Sequence, residues 1–375
     1  MRSFRLDLTA WKVTSKENPF QGKSVLRESD PAEKRKGPVR AEYIVSKPKI
    51  NGALTTDHIF FTFLSKTSSR FKHHTSPRGS YILHYLIFTD LDDTLLDHES
   101  YSWAEAGPAL DFCLKRGVPV ILATSKTRSE IEPLHGSLSL SAPFISENGG
   151  GIFFPREICA DTPFGTLPSS RFPLENKQEV VLSEDGRKRF WKISLGVNYD
   201  LLVENFRKIR HELGWNIRGF SDMDPAEISC LTGLDEEGAR LASKREFDEP
   251  FILNGPYEDM APLKEASGRK GLGITSGGRF FHLTGRNDKG IAMGLLVSWY
   301  RQRYEKILTI ALGDSPNDFG MLERSDFPVL IKSKKDYSWL KETIPGLTLT
   351  EEMGPRGWNT AVLQILKENQ EECDV

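Results

Sequence analysis

Short apolar runs alternate with stretches of helical spacing from about residue 81 onward. Residues 81–88 are almost continuously apolar, which is typical of a central parallel strand covered on both faces. The pattern then predicts a helix over about 103–116, a strand over 118–123, a helix from about 128, and a short strand at 144–145. This alternation indicates a doubly wound α/β sheet.

The same alternation returns toward the C-terminal end of the chain. The pattern there predicts a helix over about 289–303, a strand over 307–312, a helix near 317–324, a strand over 327–331 and a last helix over about 359–367. We therefore expect one Rossmann-like α/β core with a parallel sheet, built from residues 84–161 and 284–375.

Residues 162–283, between these two parts, have a different pattern. It predicts strands at 190–195, 251–254 and 279–283, helices over about 199–213 and 235–245, and a turn in the Gly-rich stretch 268–278. This pattern indicates an α+β domain inserted into the core.

Charge separates the first 83 residues from the remainder. The 375-residue chain has a formal net charge of −2, yet residues 1–83 hold 16 Lys+Arg against 7 Asp+Glu. We interpret this basic N-terminal extension as a solvated, poorly ordered segment. Two alternatives stay open: the extension contacts nucleic acid or anionic lipid, or it is translated upstream of the true start.

Composition also excludes some classes of protein. No apolar run approaches the roughly 18–20 residues that a membrane-spanning helix needs. The four cysteines lie far apart and never form a Cys-x-x-Cys pair, which argues against a zinc cluster and a disulfide framework. We therefore expect a cytoplasmic protein with no membrane partner and no nucleic-acid partner.

Acidic residues follow two of the predicted strands directly. Asp90 and Asp92 come after 81–88, and Asp314 and Asp318 come after 307–312. Carboxylates two residues apart leave a strand on the same side, and they suit a hard cation such as Mg²⁺. An Asp can also attack phosphorus, although such residues are common in ordinary turns and helix caps.

Hydroxyl groups and a lysine complete the candidate chemistry. Thr124, Ser125 and Lys126 follow another strand, where a hydroxyl and the N–H groups of a helix start can hold a phosphate oxygen, or form an ordinary cap. Lys289 begins a predicted helix and could neutralise a phosphate, although a single lysine is more often a surface residue. Together with the carboxylates, these residues complement a Mg²⁺-bound phosphate.

Six motifs in fixed order carry a family resemblance. They are Phe88-Thr-Asp-Leu-Asp-Asp-Thr-Leu-Leu-Asp97, Ser125-Lys-Thr-Arg128, Pro143-Phe-Ile-Ser-Glu-Asn-Gly-Gly150, Asp288-Lys-Gly290, Gly313-Asp-Ser-Pro-Asn-Asp318 and Gly354-Pro-Arg-Gly-Trp-Asn359. On these motifs the chain resembles the haloacid-dehalogenase (HAD) superfamily, in the branch with a large α+β cap, and within it the mannosyl-3-phosphoglycerate phosphatase family. The resemblance covers about residues 84–370, so it identifies the inserted domain as the cap of a HAD core.

The resemblance implies roles for individual residues. Asp90 matches the nucleophile, Asp92 the general acid/base and Lys289 the charge-neutralising lysine. Thr124 matches the phosphate-binding hydroxyl, with Ser125 as a competing candidate.

The implied cofactor is Mg²⁺. Its expected ligands are Asp90, Asp92, Asp314 and Asp318. The chain departs from many relatives at Asp93, where they have Gly, and we do not interpret this extra carboxylate as inactivating.

The implied partner is a small phosphorylated glycoside that carries a phosphate, a carboxylate and a hexose. The expected substrate-binding residues are Ser125, Lys126, Arg128, Asn148 and Arg286. Arg356 and Trp358 are expected to close over the site.

The implied reaction is Mg²⁺-dependent hydrolysis of mannosyl-3-phosphoglycerate to mannosylglycerate, a compatible solute, and phosphate through an aspartyl-phosphate. The alternatives are the glucosyl form of the substrate and, in a different class, a sugar phosphomutase that keeps the phosphoryl group for transfer. A pure binding module, with residues 1–83 as its recruiting arm, is disfavoured by the intact set of carboxylates.

Overall fold

The computed structural model describes residues 83–158, 181–184, 189–255, 257, 259–277 and 280–368. The expected basic extension therefore lies outside the described residues, except for its last position. Among the described residues, no helix is both long enough and apolar enough to cross a membrane.

Strands and helices alternate along most of the described chain. The strands are β1 (Leu83–Thr89), β2 (Val120–Leu122), β3 (Phe144–Ser146), β4 (Gly151–Pro155), β5 (Val181–Glu184), β6 (Phe190–Ser194), β7 (Ile217–Gly219), β8 (Asp248–Leu253), β9 (Gly273–Gly277), β10 (Phe280–Thr284), β11 (Lys306–Gly313), β12 (Phe327–Lys332) and β13 (Thr348–Met353). The α-helices are α1 (Gly107–Arg116), α2 (Arg128–Ser137), α3 (Tyr199–Leu213), α4 (Pro225–Thr232), α5 (Glu236–Ala242), α6 (Ala261–Arg269), α7 (Lys289–Tyr300), α8 (Phe319–Leu322) and α9 (Gly354–Glu368).

A parallel sheet in the order β13-β12-β11-β1-β2 forms the centre of the core. Successive side chains of β1 point to opposite faces of this sheet. Leu86 and Phe88 join a buried cluster with α7, whereas Ile87 joins a second cluster with α1 and α9. Because both faces are covered, β1 is apolar at almost every position. The predicted doubly wound α/β core is confirmed.

The inserted unit has an antiparallel sheet of its own, in the order β7-β8-β10-β9. Helix α3 packs Leu202, Phe206 and Ile209 against this sheet and ends at Gly214, whose φ of 65° is left-handed. Helices α4 and α5 pack around a separate small cluster that includes Phe220. The predicted α+β insertion is confirmed, and helix α3 has the predicted bounds.

A third sheet, in the order β3-β4-β6-β5, joins the core. Strand β3, expected as a parallel strand, makes an isolated parallel bridge from Ile145 to Ala123 but pairs antiparallel with β4. Side chains of β4 and β6 lie in the two core clusters, so these strands pack with the core. We therefore propose that the inserted unit begins after Leu195, later than the expected residue 162.

Two local predictions differ from the structure, whereas the turn expected in the Gly-rich stretch is present. Lys270 and Gly271 form a turn between the end of α6 and β9, while Gly278 lies outside the described residues. Helix α4 was not predicted, although Asp224 caps it by accepting the N–H of Glu227, an Asp-Pro-x-Glu signal. Helix α9 begins at Gly354 instead of 359, with Pro355 in the first turn, where proline is tolerated.

Candidate active site

Three carboxylates converge at the carboxyl end of the parallel sheet. Asp90 follows β1 and Asp314 follows β11, and the N–H of Asp90 donates to the carbonyl of Leu312 over 2.9 Å. One oxygen from each of Asp90, Asp314 and Asp318 lies within 4.8 Å of the others. Ligands of open α/β sheets bind at this edge, so the structure brings these three predicted residues together where chemistry is expected.

A fully buried lysine connects two of these carboxylates. Lys289 is the first residue of α7, after Asp288, which caps the helix by accepting the N–H of Ile291. Its Nζ donates to Asp90 Oδ1 over 2.8 Å and to Asp318 Oδ1 over 2.7 Å, with 0% of the side chain exposed. The predicted lysine therefore holds a fixed positive charge beside the predicted nucleophile.

Asp318 organises the loop after β11. Its Oδ2 accepts the backbone N–H groups of Asp314 and Ser315, each over 3.1 Å, while its Oδ1 accepts the lysine ammonium. A Cβ at Gly313 would lie 2.4 Å from the Asp318 Cβ, so this close approach requires glycine. Because both oxygens are already engaged, Asp318 is better placed to position the loop and the lysine than to ligate a metal directly.

The remaining two carboxylates fit a divalent cation. Burial raises the pKa of Asp90 to about 7, although the Lys289 ammonium lowers it. Burial also raises the pKa of Asp314 to about 8, with a further rise from the Asp318 charge. Among the described residues, no group donates a hydrogen bond to the Asp314 carboxylate. A Mg²⁺ ion between Asp90 and Asp314 would balance this negative charge with the oxygen ligands that it prefers.

Asp92 has a different environment from the acidic cluster. Its Oδ1 lies 2.9 Å from Lys126 Nζ, and its side chain is 42% exposed. Lys126 also lies over the Tyr101 ring at 5.5 Å, and despite burial the Asp92 charge helps to raise its pKa. The expectation that the Asp92 side chain ligates the metal is not supported, because its carboxylate is outside the acidic cluster and engaged by the lysine.

A cleft of about 220 Å³ lies between the core and the inserted unit. Its lining includes Asp90, Asp92 and Asp314 from the core and Phe220, Arg245 and His282 from the inserted unit.

The two candidate hydroxyls have different positions relative to this cleft. Ser125 lines it, whereas Thr124 is fully buried and its Oγ1 accepts the N–H of Lys126 over 3.2 Å.

Two expected substrate-binding residues, Arg128 and Arg286, lie outside the lining of this cleft. Arg128 pairs with Glu132 and Glu246, and neither Arg128 nor the exposed Arg286 is part of the cleft lining. Long side chains can point away from a site that their backbone borders. The structure does not place these two side chains in the cleft, so their role in substrate binding stays a prediction.

Asn148 holds other residues in place, since its side-chain amide is already engaged. Its Nδ2 donates to Asp248 Oδ2 over 3.2 Å, and its Oδ1 accepts Asn317 Nδ2 over 3.1 Å. Asn148 has a left-handed φ of 54°, as does the preceding Glu147 at 48°, so two strained residues are buried side by side here. Asn148 connects the inserted unit to the loop after β11, and its expected role in substrate binding stays a prediction.

The motif around α9 supports the core and does not cover the site. Trp358 is fully buried, and its Nε1 donates to Thr89 Oγ1 over 2.9 Å, one residue before Asp90. Arg356 is exposed and pairs with Glu105, and Asn359 accepts the N–H of Ala109 at the start of α1. The expectation that Arg356 and Trp358 close over the site is wrong, because packing directs both side chains elsewhere.

Sequence reasoning missed the polar residues of the inserted unit. His282 Nδ1 lies 2.9 Å from the fully buried Asp248, which also accepts from Asn148. Arg245 donates to the carbonyl of Ser125 over 2.8 Å. A histidine next to a leucine within an apolar strand, as at His282 and Leu283, is a weak sequence signal that could have drawn attention to this side of the cleft.

Comparisons with known proteins agree with this geometry. A model of the haloacid dehalogenase-like hydrolase family matches residues 87–165. The chain is 39% identical over 290 residues to a protein of Methanococcoides burtonii named glucosyl-3-phosphoglycerate/mannosyl-3-phosphoglycerate phosphatase, covering 76% of this chain and 98% of that protein. A protein of the same name from Persephonella marina is 38% identical over 291 residues, with 77% and 99% covered. A solved structure from Streptococcus mutans UA159 shares the fold, with a TM-score of 0.50 at 14% identity over 75% of this chain and 98% of that one.

Proposed function

The chain belongs to the glucosyl-3-phosphoglycerate/mannosyl-3-phosphoglycerate phosphatase family of haloacid dehalogenase-like hydrolases, and from this premise we propose that it hydrolyses mannosyl-3-phosphoglycerate to mannosylglycerate and phosphate. It is a phosphoric monoester hydrolase, so the sugar phosphomutase alternative is not favoured. The observation that carries the proposal is the Asp90–Lys289–Asp318 cluster beside the Asp314 carboxylate, with Asp90 and Asp314 in the lining of the cleft.

The proposed first step is attack by the Asp90 carboxylate on phosphorus. A bond forms between an Asp90 oxygen and phosphorus, and the bond from phosphorus to the glycerate oxygen breaks. Lys289, held at 2.8 Å from Asp90, orients the carboxylate and offsets negative charge in the transition state. Asp92 gives its proton to the departing oxygen, which leaves as a neutral hydroxyl.

The proposed second step is hydrolysis of the aspartyl-phosphate. Asp92 takes a proton from water, the water oxygen bonds to phosphorus, and the bond to Asp90 breaks to release phosphate. The half-exposed position of Asp92 suits a group that must exchange protons twice in one cycle, and Lys126 orients its carboxylate.

Mg²⁺ is the proposed cofactor, held by Asp90 and Asp314. When bound, it would supply positive charge to the transferring phosphoryl oxygens. Of the two hydroxyl candidates, Ser125 lines the cleft and is our candidate for contact with the phosphate, whereas Thr124 supports the turn that presents Lys126.

The glucosyl substrate is a second candidate, because both relatives carry both sugars in their names. Mannosylglycerate, the proposed product, would serve as a compatible solute in the cytoplasm.

A phosphate-release assay tests the proposal. Purified protein is given mannosyl- and glucosyl-3-phosphoglycerate and simple hexose phosphates, with Mg²⁺ or with EDTA. We expect release from the glycosyl-phosphoglycerates in Mg²⁺ and none in EDTA or in Asp90→Asn. Faster release from hexose phosphates, or isomerised sugar phosphate without free phosphate, would contradict the proposed substrate or reaction.

A further inference from the structure

Four cationic or potentially cationic side chains line the cleft among the described residues, and three of them bond to a carboxylate. His98 lies 2.7 Å from Asp93, Lys126 lies 2.9 Å from Asp92, and His282 lies 2.9 Å from Asp248. The fourth is Arg245, and its Nη1 is 3.9 Å from Asp248, beyond hydrogen-bonding distance.

Neutral acceptors make the hydrogen bonds of Arg245, whereas the Asp248, Glu130 and Glu147 carboxyl groups interact with it only through charge. Its Nε donates to the carbonyl of Ala242 and its Nη1 to the carbonyl of Ser125, both over 2.8 Å. Its guanidinium lies over the Phe220 ring at 5.5 Å, and 7% of the side chain is exposed. Among the described residues, Nη2 has no hydrogen-bond partner, so one edge of a positioned, permanently charged group remains available to a ligand.

The proposed substrate offers the anion that this edge requires. In a 3-phosphoglycerate unit, one carbon separates the carboxyl group from the carbon that carries the phosphate. The carboxylate must therefore bind in the same cleft as Asp90, close to the phosphate. Planar guanidinium groups are well suited to carboxylates, and the other charged donors of the cleft already bond to protein carboxylates.

We propose that Arg245 binds the carboxylate of the glycerate part of the substrate and thereby selects phosphoglycerate esters over carboxylate-free phosphate esters. This inference rests on the substrate class of the proposed function. The same side chain holds the Ser125 carbonyl of the core, so the carboxylate is recognised at a contact between the core and the inserted unit.

A matched pair of small esters tests this inference. 3-Phosphoglycerate has a carboxylate where glycerol 3-phosphate has a hydroxymethyl group. Each ester is assayed in Mg²⁺, both as a substrate and as an inhibitor of mannosyl-3-phosphoglycerate hydrolysis. We expect the wild type to prefer 3-phosphoglycerate. We expect Arg245→Met to lower kcat/KM or inhibition for that ester by about 10- to 100-fold, mainly through binding, with about twofold change or less for glycerol 3-phosphate. Arg245→Lys should give an intermediate loss on 3-phosphoglycerate, because lysine keeps the positive charge but lacks the planar edge of the guanidinium group with its two parallel donors.

Arg210 provides the control. It is also in the inserted unit, lies 5.6 Å from a Phe206 ring and donates to the carbonyl of Ile217, but it is not in the cleft lining. Arg210→Met should leave the ratio between the two esters unchanged, and thermal melting of each variant checks folding.

Three outcomes would overturn the inference: equal loss on both esters in Arg245→Met, no loss on 3-phosphoglycerate, or no preference in the wild type. Equal loss would assign Arg245 to holding the inserted unit against the core. If the wild type fails on both glycosyl-phosphoglycerates, the proposed function is wrong, yet the two small esters tested as substrates still decide the role of Arg245.

Discussion

The candidate site contains two carboxylate–lysine pairs of nearly equal length in opposite environments. Lys289 and Asp90 are 2.8 Å apart, and Lys126 and Asp92 are 2.9 Å apart. In the inner pair, Lys289–Asp90, the lysine is fully buried and has a second carboxylate partner. In the outer pair, Lys126–Asp92, the side chains are 15% and 42% exposed. Contact distance therefore says little about what each pair does, and burial and the number of partners distinguish them.

This difference assigns different tasks to the two pairs. A buried charge with two partners is expensive to move or neutralise, so the inner pair fixes the nucleophile and its charge. A half-exposed Asp92 side chain can exchange a proton with solvent and with a leaving group, and its one lysine partner can orient it. The comparison therefore separates a preorganised attacking group from a proton carrier.

Removing the nucleophile tests the inner pair most directly. Asp90→Asn keeps the shape of the side chain but cannot form the aspartyl-phosphate, so we expect phosphate release to fall by about 10⁴-fold or more. Initial rates with saturating Mg²⁺ measure this, and thermal melting confirms that the variant is folded. A variant that retains a tenth or more of the activity would show that Asp90 is not the nucleophile.

Breaking the inner pair from the other side should affect both activity and stability. Lys289→Met leaves Asp90 and Asp318 buried without their cation, and we expect a loss of about 3–5 kcal/mol in the free energy of unfolding. We also expect kcat to fall by about 10²- to 10³-fold, because a preorganised charge is lost. Urea unfolding and steady-state kinetics measure the two effects, and an unchanged unfolding midpoint would contradict the assigned role of this lysine.

The same truncation in the outer pair should cost much less stability. Lys126→Met removes a partner from a carboxylate that water can still reach, so we expect about 1 kcal/mol or less in unfolding free energy. We expect kcat/KM to fall by about 10- to 100-fold, since Asp92 loses its orienting charge. If Lys126→Met destabilises the protein as much as Lys289→Met, then burial does not distinguish the two pairs.

The inner pair could be predicted from sequence because topology places it. Asp90 and Asp314 follow adjacent parallel strands, and Lys289 begins a helix, so backbone geometry alone brings them to one edge of the sheet. Side-chain direction in the other candidates depends on tertiary packing. Trp358 was expected over the site but is buried against Thr89, and this difference has no signature in the local sequence.

The side of the cleft that the inserted unit forms could not be predicted, for a related reason. Arg245 and Asp90 are far apart in sequence, and they line one cleft only because the inserted unit packs over the strand ends. Spacing and periodicity predicted the unit itself, including helix α3, but contain no information on which of its faces meets the core.

The smallest expected effect concerns the pH dependence of the metal-free protein and again separates the two pairs. Burial raises the pKa of Asp90 to about 7 and that of Asp314 to about 8, from 3.8. For acids whose pKa is higher in the folded state, the stabilisation is fully present below the unfolded pKa and is lost as pH rises through the folded pKa.

In EDTA, we therefore expect the melting temperature to fall by a few degrees between about pH 5 and pH 8.5. Saturating Mg²⁺ should reduce this fall, because the cation replaces the protons at Asp90 and Asp314. The part that comes from Glu147, whose pKa burial also raises to about 8, should remain. Asp314→Asn should reduce the fall, and Asp92→Asn, in the outer pair, should reduce it only slightly, because the Asp92 charge is a minor cause of the raised Asp90 pKa. A melting temperature that does not change with pH in EDTA would show that the inner cluster carries no excess negative charge.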